Sequence, residues 1–180
     1  DLAELTRSEL EAPSSLPGWS VAELAIHLTR VCDSLLLAVQ RAIVRDSTPV
    51  FGPPTKPRED EIRAMDKARW IDLQRAGYRD LSEIVGALTD DDLAQLMFPF
   101  GQGPRSVGWY CTQLLAEVAF HRWDLERSFG ADRRLEDGLA AHLLPFLLDP
   151  EWPLFARRRS DSGQQTFGVT TEVQAWTLAS

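Results

Sequence analysis

Glu117 and His121 are of residue types that bind divalent metal ions, and they stand four positions apart. Residues four apart in a helix lie one turn above each other, so this carboxylate and this imidazole can reach one point. Such pairs also form ordinary hydrogen bonds on protein surfaces, so the spacing alone does not decide for a metal. Spacings of three and four extend the pair to one stripe, whose members are Tyr110, Leu114, Glu117, His121 and Asp124. The polar groups interrupt a face that is predicted to point inward, where an unpartnered carboxylate is costly.

His27 is a second metal-binding side chain on an apolar helix face. It stands in the middle of the face formed by Leu24, Leu28, Val31, Leu35 and Val39. The simpler interpretation is a core histidine that hydrogen-bonds to a neighbour, since paired histidines are often structural. The alternative is a third metal ligand from a separate helix. His142 has no polar neighbour at one-turn spacing, so we rank it below the other two histidines as a ligand.

Helices separated by breaks rich in proline and glycine must position these side chains. Ser20 and Glu23 form a capping box, which marks the start of a helix. Gly130 stands where a helix that begins near Ser106 is expected to end. The predicted elements are the end of a helix at 1–11, a helix from 20 to about 45, a crossover loop at 46–57, a long helix at 58–88, a short capped turn at 89–96, a loop at 98–105, helices at 106–130 and 134–148, and a strand signal at 166–180.

Length and composition predict one helical domain with a small appendage. We expect the helical domain at residues 1–150, followed at 151–180 by a linker and a β-hairpin or the stub of a C-terminal α/β domain. The net charge of −8, from 27 acidic and 19 basic residues, argues against a nucleic-acid partner. The sequence contains no run of about 18 apolar residues, so a membrane partner is not predicted.

The cysteines predict a reduced protein. Cys32 and Cys111 are the two cysteines of the chain, and both stand in apolar helical stretches, where a free thiol behaves as a small hydrophobe. A disulfide framework is therefore not indicated, and a cytoplasmic location is the expectation. The oligomeric state, monomer or homodimer, is left open.

Two segments resemble a known family. The sequences LPGWSVAELAIHL at 16–28 and LAEVAFHRWDLERSFG at 115–130 are similar to the N-terminal metal-binding domain of the mycothiol-dependent maleylpyruvate isomerase family, within the DinB-like superfamily. The resemblance covers roughly residues 1–150. It implies an up-down-down-up four-helix bundle with its long crossover at 46–57, here followed by an extra C-terminal helix and a short β segment. It also implies that His27, Glu117 and His121 hold a divalent metal, most often zinc.

The chemistry that the resemblance implies follows from the number of ligands. Three protein ligands leave coordination positions open, as in catalytic sites. One carboxylate and two neutral imidazoles leave about one positive charge, which lowers the pKa of a bound thiol or water. A small thiol such as mycothiol would then attack an electrophilic substrate as the thiolate, in an isomerase or an S-transferase. The alternatives are a metal-dependent hydrolase that activates water and a non-catalytic, metal-stabilised binding module.

Four neighbours of the implied ligands have candidate roles. Asp124, three residues after His121, could orient an imidazole N–H or form a surface salt bridge with Arg122 or Arg127. Arg122 could meet a substrate carboxylate if its side of the helix faces the site. Trp19 and Trp123 are predicted to pack inside the bundle rather than to serve as platforms for a substrate.

Overall fold

The structure is a computed structural model, and the residues it describes are 2–50, 55–100, 103–131, 134–148, 166–170 and 175–179. They belong to two compact units, one within residues 1–134 and one within residues 135–180. Most of the described residues are helical, so the predicted helical class is confirmed. None of the described helices has the length and apolar character needed to cross a membrane.

Helices dominate the first unit. A 3-10 turn at Leu2–Glu4 precedes them, and their bounds are α1 Arg7–Glu11, α2 Val21–Ile43, α3 Thr55–Ala64, α4 Lys67–Gly86, α5 Asp90–Gln95 and α6 Val107–Ser128. Between α5 and α6 lies an antiparallel pair of strands, β1 Met97–Phe100 and β2 Gly103–Ser106. The second unit has α7 Asp137–Leu147 and the antiparallel strands β3 Thr166–Thr170 and β4 Ala175–Ala179.

Helix α2 is the centre of the first unit, since it packs against α1, α3, α4, α6 and β1. Its N-terminal half buries Val21 and Ala25 in one apolar cluster together with Ile62 of α3 and Trp70 of α4. Its C-terminal half belongs to a second cluster, with buried members Cys32, Leu35, Ala38, Val39, Ala42, Leu81, Phe98, Val107 and Tyr110. His27 therefore stands on α2 between the two clusters.

Three predicted helix boundaries are confirmed. The Ser20 N–H donates to Glu23 Oε2 at 2.8 Å and the Glu23 N–H donates to Ser20 Oγ at 3.2 Å, which completes the capping box of α2. Thr89 caps α5 in the same way. Gly130 ends α6 with a positive φ of 77°, where a side chain would be strained, and its N–H donates to Arg127 O at 2.9 Å.

The prediction of one long helix at 58–88 is wrong, because the chain breaks at Asp66. The side chain of Asp66 accepts a hydrogen bond from the Arg69 N–H at 2.9 Å and so starts α4 as a new helix. Helix α3 also begins earlier than predicted, at Thr55, with Pro57 in its first turn, where proline is tolerated. The crossover loop predicted at 46–57 is therefore shorter, because residues 55–57 belong to α3.

Residues 1–11 were predicted to be the end of one helix, and α1 does end at Glu11, but the helix is not continuous back to Leu2. The 3-10 turn and α1 are separate, because Thr6 caps α1: its N–H donates to Glu9 Oε2 at 2.7 Å, and its hydroxyl oxygen accepts from the Glu9 N–H at 3.3 Å. Thr6 and Glu9 are spaced as a capping box, so the sequence carried this signal.

The loop predicted at 98–105 forms most of the β1–β2 hairpin. Phe98 pairs with Arg105, and Pro99 pairs with Pro104. The sequence did not predict these strands because Pro99 and Pro104 lack N–H donors, and proline normally argues against a strand interior. Tertiary packing supports the hairpin, because the buried ring of Phe98 meets that of Tyr110 edge to face with centroids 4.3 Å apart.

In the second unit, α7 is three residues shorter at its N-terminus than the predicted helix 134–148. The strand signal at 166–180 is confirmed as a hairpin in which Thr166 pairs with Ala179 and Thr170 with Ala175. The predicted linker lies outside the described residues. The predicted domain boundary at residue 150 stays a prediction.

Candidate metal centre

Helices α2 and α6 bring the three predicted ligands together. Glu117 Oε2 lies 3.4 Å from His27 Nε2 and 3.3 Å from His121 Nε2. One donor atom from each residue lies within 4.8 Å of the others. The three side chains keep between 17% and 19% of their surface exposed, so they are sheltered but reachable. Residues 27 and 117 are distant in sequence, and the packing of α2 on α6 joins them.

The donor set and its spacing fit a small divalent ion. Two imidazole nitrogens and one carboxylate oxygen are a set that zinc takes in catalytic sites. Two ligand atoms about 2.1 Å from a tetrahedral ion lie about 3.4 Å from each other. The separations of Glu117 Oε2 from His27 Nε2 and from His121 Nε2 are close to this value. Each histidine nitrogen therefore lies at a separation from Glu117 Oε2 that suits two ligands of one ion.

Glu117 is held in its charged form. Burial by itself would raise the pKa of this carboxyl, but hydrogen bonds and charge interactions with His121 and His27 outweigh burial and lower the pKa to about 2. Burial lowers the pKa of His121, but the carboxylates of Glu117 and Asp124 outweigh it, so the pKa of His121 is raised. A cation at this point, whether a proton or a metal, is therefore favoured by the surrounding charges.

Asp124 is paired with His121. Its Oδ2 lies 3.0 Å from His121 Nδ1, and Asp124 is itself buried. The Ser15 hydroxyl donates to Asp124 O at 2.9 Å and lies 3.4 Å from Asp124 Oδ1, while the Ser128 hydroxyl donates to Asp124 O at 2.8 Å. When His121 is neutral, a proton held on Nδ1 by this carboxylate leaves the lone pair of Nε2 free for a metal ion shared with Glu117. Of the two contacts considered for Asp124, the structure has the one with His121.

Ring contacts hold His27. The Trp19 ring meets the His27 ring edge to face with centroids 5.3 Å apart, and the His27 and His121 rings are 5.0 Å apart and nearly perpendicular. Among the described residues, His27 Nδ1 has no hydrogen-bond partner. The prediction that Trp19 packs inside the bundle is wrong, because 37% of its surface is exposed and it borders the site.

A cavity of about 210 Å³ opens beside the triad. It is lined by His27, Arg30, Val31, Leu35, Phe100, Tyr110, Gln113, Leu114 and Glu117. Sequence reasoning named Tyr110 and Leu114 only as members of a stripe and missed Arg30 and Gln113 as possible site residues. The signal was present, since Arg30 stands three residues after His27 and Gln113 four before Glu117.

Arg122 and Trp123 do not line this cavity. Arg122 is 63% exposed and donates to Glu126 Oε1 at 3.0 Å, so its side of α6 faces outward. His142 is exposed on α7. Trp123 is partly buried, with the Arg127 guanidinium 4.7 Å from the centre of its ring.

The two cysteines are poor nucleophiles. Burial, with smaller effects from Asp33 and Asp80, raises the pKa of the Cys32 thiol to about 12. Burial also raises the pKa of Cys111. Neither residue lines the cavity, so a reacting thiol there would have to be supplied by another molecule.

Comparisons with known proteins give a family and a fold. Residues 1–126 match the family described as the mycothiol maleylpyruvate isomerase N-terminal domain. The crystal structure of the mycothiol-dependent maleylpyruvate isomerase is similar, with a TM-score of 0.66 and 19% sequence identity over 82% of this chain and 60% of that chain. The crystal structure of a histidine-to-alanine mutant of that enzyme gives the same values. This chain thus spans about 60% of the length of the enzyme it resembles. A search of curated proteins found no match.

Proposed function

This chain belongs to the mycothiol maleylpyruvate isomerase N-terminal domain family, and we propose that it is a divalent-metal-dependent enzyme that uses a small thiol, mycothiol, as an isomerase or S-transferase. The observation that carries the proposal is the convergence of His27, Glu117 and His121 beside an open cavity. The enzyme of similar fold is named as a mycothiol-dependent maleylpyruvate isomerase, which supports mycothiol as the thiol.

The chain's own residues have distinct parts in this proposal. His27, Glu117 and His121 hold the ion, with zinc preferred for two nitrogens and one oxygen. When bound, the ion supplies positive charge that lowers the pKa of a thiol. Asp124 keeps the proton of His121 on Nδ1. Val31, Leu35 and Leu114 line the cavity with apolar surface that limits access of water to the substrate.

The reaction needs no nucleophile from the protein. The sulfur of the thiol forms a bond to the electrophilic carbon of the substrate. In an isomerase, addition to a conjugated double bond leaves a single bond that rotates, and elimination of the same thiolate restores the double bond in its new geometry. In an S-transferase, the adduct either takes up a proton or, in a substitution, loses its leaving group as an anion, and the thioether is released as product. The inert thiols of Cys32 and Cys111 do not compete with the added thiol.

We propose the arrangement of the helices and the cellular location on the same basis. An up-down-down-up DinB-like four-helix bundle at residues 1–150 is supported by the family match and by the packing of α2 against α4 and α6. A cytoplasmic location is supported by the reduced cysteines, since thiol chemistry suits a reducing compartment.

Metal analysis of the full chain, purified without chelators, tests the proposal. We expect about one divalent ion per chain, and a rise in melting temperature when mycothiol is added to the loaded protein. Glu117→Gln should lose the ion, because it removes the charge shared by both histidines. Glu126→Gln, a carboxylate change on the same helix that faces Arg122, should keep it.

Turnover then separates the candidate reactions. With chlorodinitrobenzene as the electrophile for the S-transferase and maleylpyruvate for the isomerase, product should form only when mycothiol and the ion are both present. A chain that stays metal-free after incubation with zinc would overturn the proposal. Turnover of ester or amide substrates without any thiol would point to the hydrolase, and bound metal without turnover or thiol binding would point to the binding module.

A further inference from the structure

We propose that Arg30 selects the substrate of this cavity by binding its carboxylate, the role for which the sequence had offered Arg122. This inference rests on the proposed function, because it takes the triad as the place where the substrate reacts. Among the described residues that line the cavity, Arg30 is the cationic side chain, and the remaining charged group is Glu117, which is engaged by the two histidines.

Two helices divide the cavity into a reacting end and a recognition end. Helix α2 contributes His27 and, three residues later, Arg30, while α6 contributes Glu117 and, four residues earlier, Gln113. Residues at these spacings are helical neighbours, with Cβ atoms about 5–6 Å apart. Both helices thus present a metal-binding group and, one turn away, a polar group that lines the same space.

Arg30 is sheltered and its hydrogen-bonding capacity is incompletely used. Its side chain is 15% exposed, and its Nε lies 2.7 Å from Glu59 Oε1. The direction of that contact is unsuitable for an N–H hydrogen bond, so the buried Nε has no hydrogen-bond partner among the described residues. A guanidinium presents five N–H donors in a fixed plane, so it can keep the ion pair with Glu59 and still receive a carboxylate.

Gln113 extends the polar end of the cavity. Its Oε1 is buried and has no hydrogen-bond partner among the described residues. An amide side chain can donate or accept, so it can meet either a carboxylate oxygen or a carbonyl oxygen of a ligand. Much of the remaining lining is apolar, and it includes Val31, Leu35 and Phe100.

The spacing of Arg30 from His27 on α2 and the volume of the cavity restrict the ligand. A carboxylate at Arg30 places the part of the molecule about one helical turn away beside the triad. A short acid, whose electrophilic carbon lies a few bonds from its carboxyl carbon, can place its carboxylate at Arg30 and its electrophilic carbon toward the triad. The volume of about 210 Å³ is below the usual range for drug-sized ligands, so a small acid suits the space.

Binding of crotonate and crotonamide to the zinc-loaded full chain tests the role of Arg30. These probes have the same shape and carry a carboxylate or a neutral amide two bonds from the electrophilic carbon. Ligand-observed NMR titrations without thiol measure both dissociation constants. We expect crotonate to bind roughly 10- to 100-fold more tightly, the range of a hydrogen bond to a charged group. Arg30→Met should reduce this preference to about one.

The matched control is Arg63→Met. Arg63 also makes an ion pair between α2 and α3, with Glu23 at 3.2 Å, but it does not line the cavity. It should keep the preference for crotonate. If Arg30→Met fails to fold, Arg30→Lys serves instead: it keeps the charge but loses the planar fork, and should retain a reduced preference.

Two results would overturn the role of Arg30. One is an unchanged preference in Arg30→Met, which would place the carboxylate on the metal instead. The other is an equal loss in Arg63→Met, which would make the preference a general effect of charge. Because no thiol or turnover is involved, a failure of the proposed thiol chemistry would leave this measurement interpretable, and a failure here would leave thiol dependence untouched.

Discussion

His121 and His27 face the same carboxylate, yet different forces hold them. His121 is fixed by a hydrogen bond from Nδ1 to the buried Asp124, which is in turn tied to Ser15 and Ser128. His27 is fixed by packing, with Trp19 against its ring and no hydrogen bond to its Nδ1 among the described residues. A hydrogen bond defines the tautomer of an imidazole, whereas a ring contact restricts only its orientation. The His121 side should therefore contribute more to metal affinity than its distances alone suggest.

One loop supports both sides of the site. Residues 13–20 form a closed turn in which the Ser14 N–H donates to Trp19 O at 2.8 Å and Pro13 bridges to Ser20. Gly18 permits the turn with a φ of 82°. Ser15 points from this loop to Asp124, and Trp19 contacts His27. Substitutions of Ser15 and of Trp19 therefore test separately the hydrogen bond that supports Asp124 and the ring contact that supports His27.

Asp124→Asn should have the largest effect among changes outside the ligands. An asparagine can donate to Nδ1 of His121 and so move the imidazole proton to Nε2, where it blocks the metal. We expect zinc affinity to fall about 10- to 100-fold, the range for partners of ligating histidines. Competition with a chromophoric chelator measures it. Unchanged affinity would show that the hydrogen bond does not set the tautomer.

Acidification should weaken metal binding, because imidazole must lose its proton to bind. The pKa of Glu117 is about 2, so this carboxylate stays ionised and His121 is the group that responds. Because the pKa of His121 is raised, protons begin to compete with zinc at a pH above the ordinary imidazole value of about 6.5. Below that pH the loss of apparent zinc affinity approaches tenfold per pH unit. Asp124→Asn should move the onset to lower pH, as measured by the same chelator competition.

The metal-free chain should respond to pH in the opposite sense. The raised pKa of folded His121 stabilises the protonated folded state, so this contribution is present at low pH and is lost as pH rises through the folded pKa. Melting curves of chelator-treated protein should show the contribution, and it should be smaller in Asp124→Asn. Equal pH profiles for the two proteins would contradict the assigned pairing of His121 with Asp124.

Trp19→Ala should weaken zinc binding less than Asp124→Asn does. Aromatic pairs contribute about 0.5–1.5 kcal/mol beyond their buried area, which corresponds to a loss of no more than about tenfold. Trp19→Phe, which keeps a ring at the same position, should recover part of the loss. A larger effect for Trp19→Ala than for Asp124→Asn would reverse the ranking of the two sides.

Ser15→Ala should have the smallest effect. It removes the hydrogen bond to Asp124 O and the contact with Asp124 Oδ1, worth about 0.5–1.5 kcal/mol of folding stability, and should change zinc affinity only a few-fold. Ser14→Ala, in the same loop but hydrogen-bonded within it to Leu16, should leave zinc affinity unchanged. Denaturant unfolding and chelator competition give the two values. Equal affinity losses in the two variants would mean that the loop acts as a whole.

Local patterns predicted much of the site and its elements. The i, i+4 spacing of Glu117 and His121 and the anomalous His27 marked three candidate side chains, and the family resemblance implied that these three share a metal ion. The capping box at Ser20 and the glycine at position 130 gave the start of α2 and the end of α6. These signals depend on backbone hydrogen bonds and helical periodicity within a few residues, which a sequence carries directly.

Features that depend on distant residues were missed or misplaced. The β1–β2 hairpin depends on Phe98 packing against Tyr110, and the exposure of Trp19 depends on the loop at 13–20. Arg122 was a candidate for binding a carboxylate, but the orientation of α6 turns it outward, whereas Arg30 of α2 lines the cavity.

The sequence by itself determined which residues share a face of each helix, because a fixed rise and rotation per residue set those faces. It thus determined that Glu117 and His121 act together and that His27 points inward. Only the tertiary structure decided that α2 brings His27 within 3.4 Å of Glu117, and that Arg30 rather than Arg122 lines the cavity. The reason is that packing between helices far apart in sequence, and not local geometry, selects which faces meet.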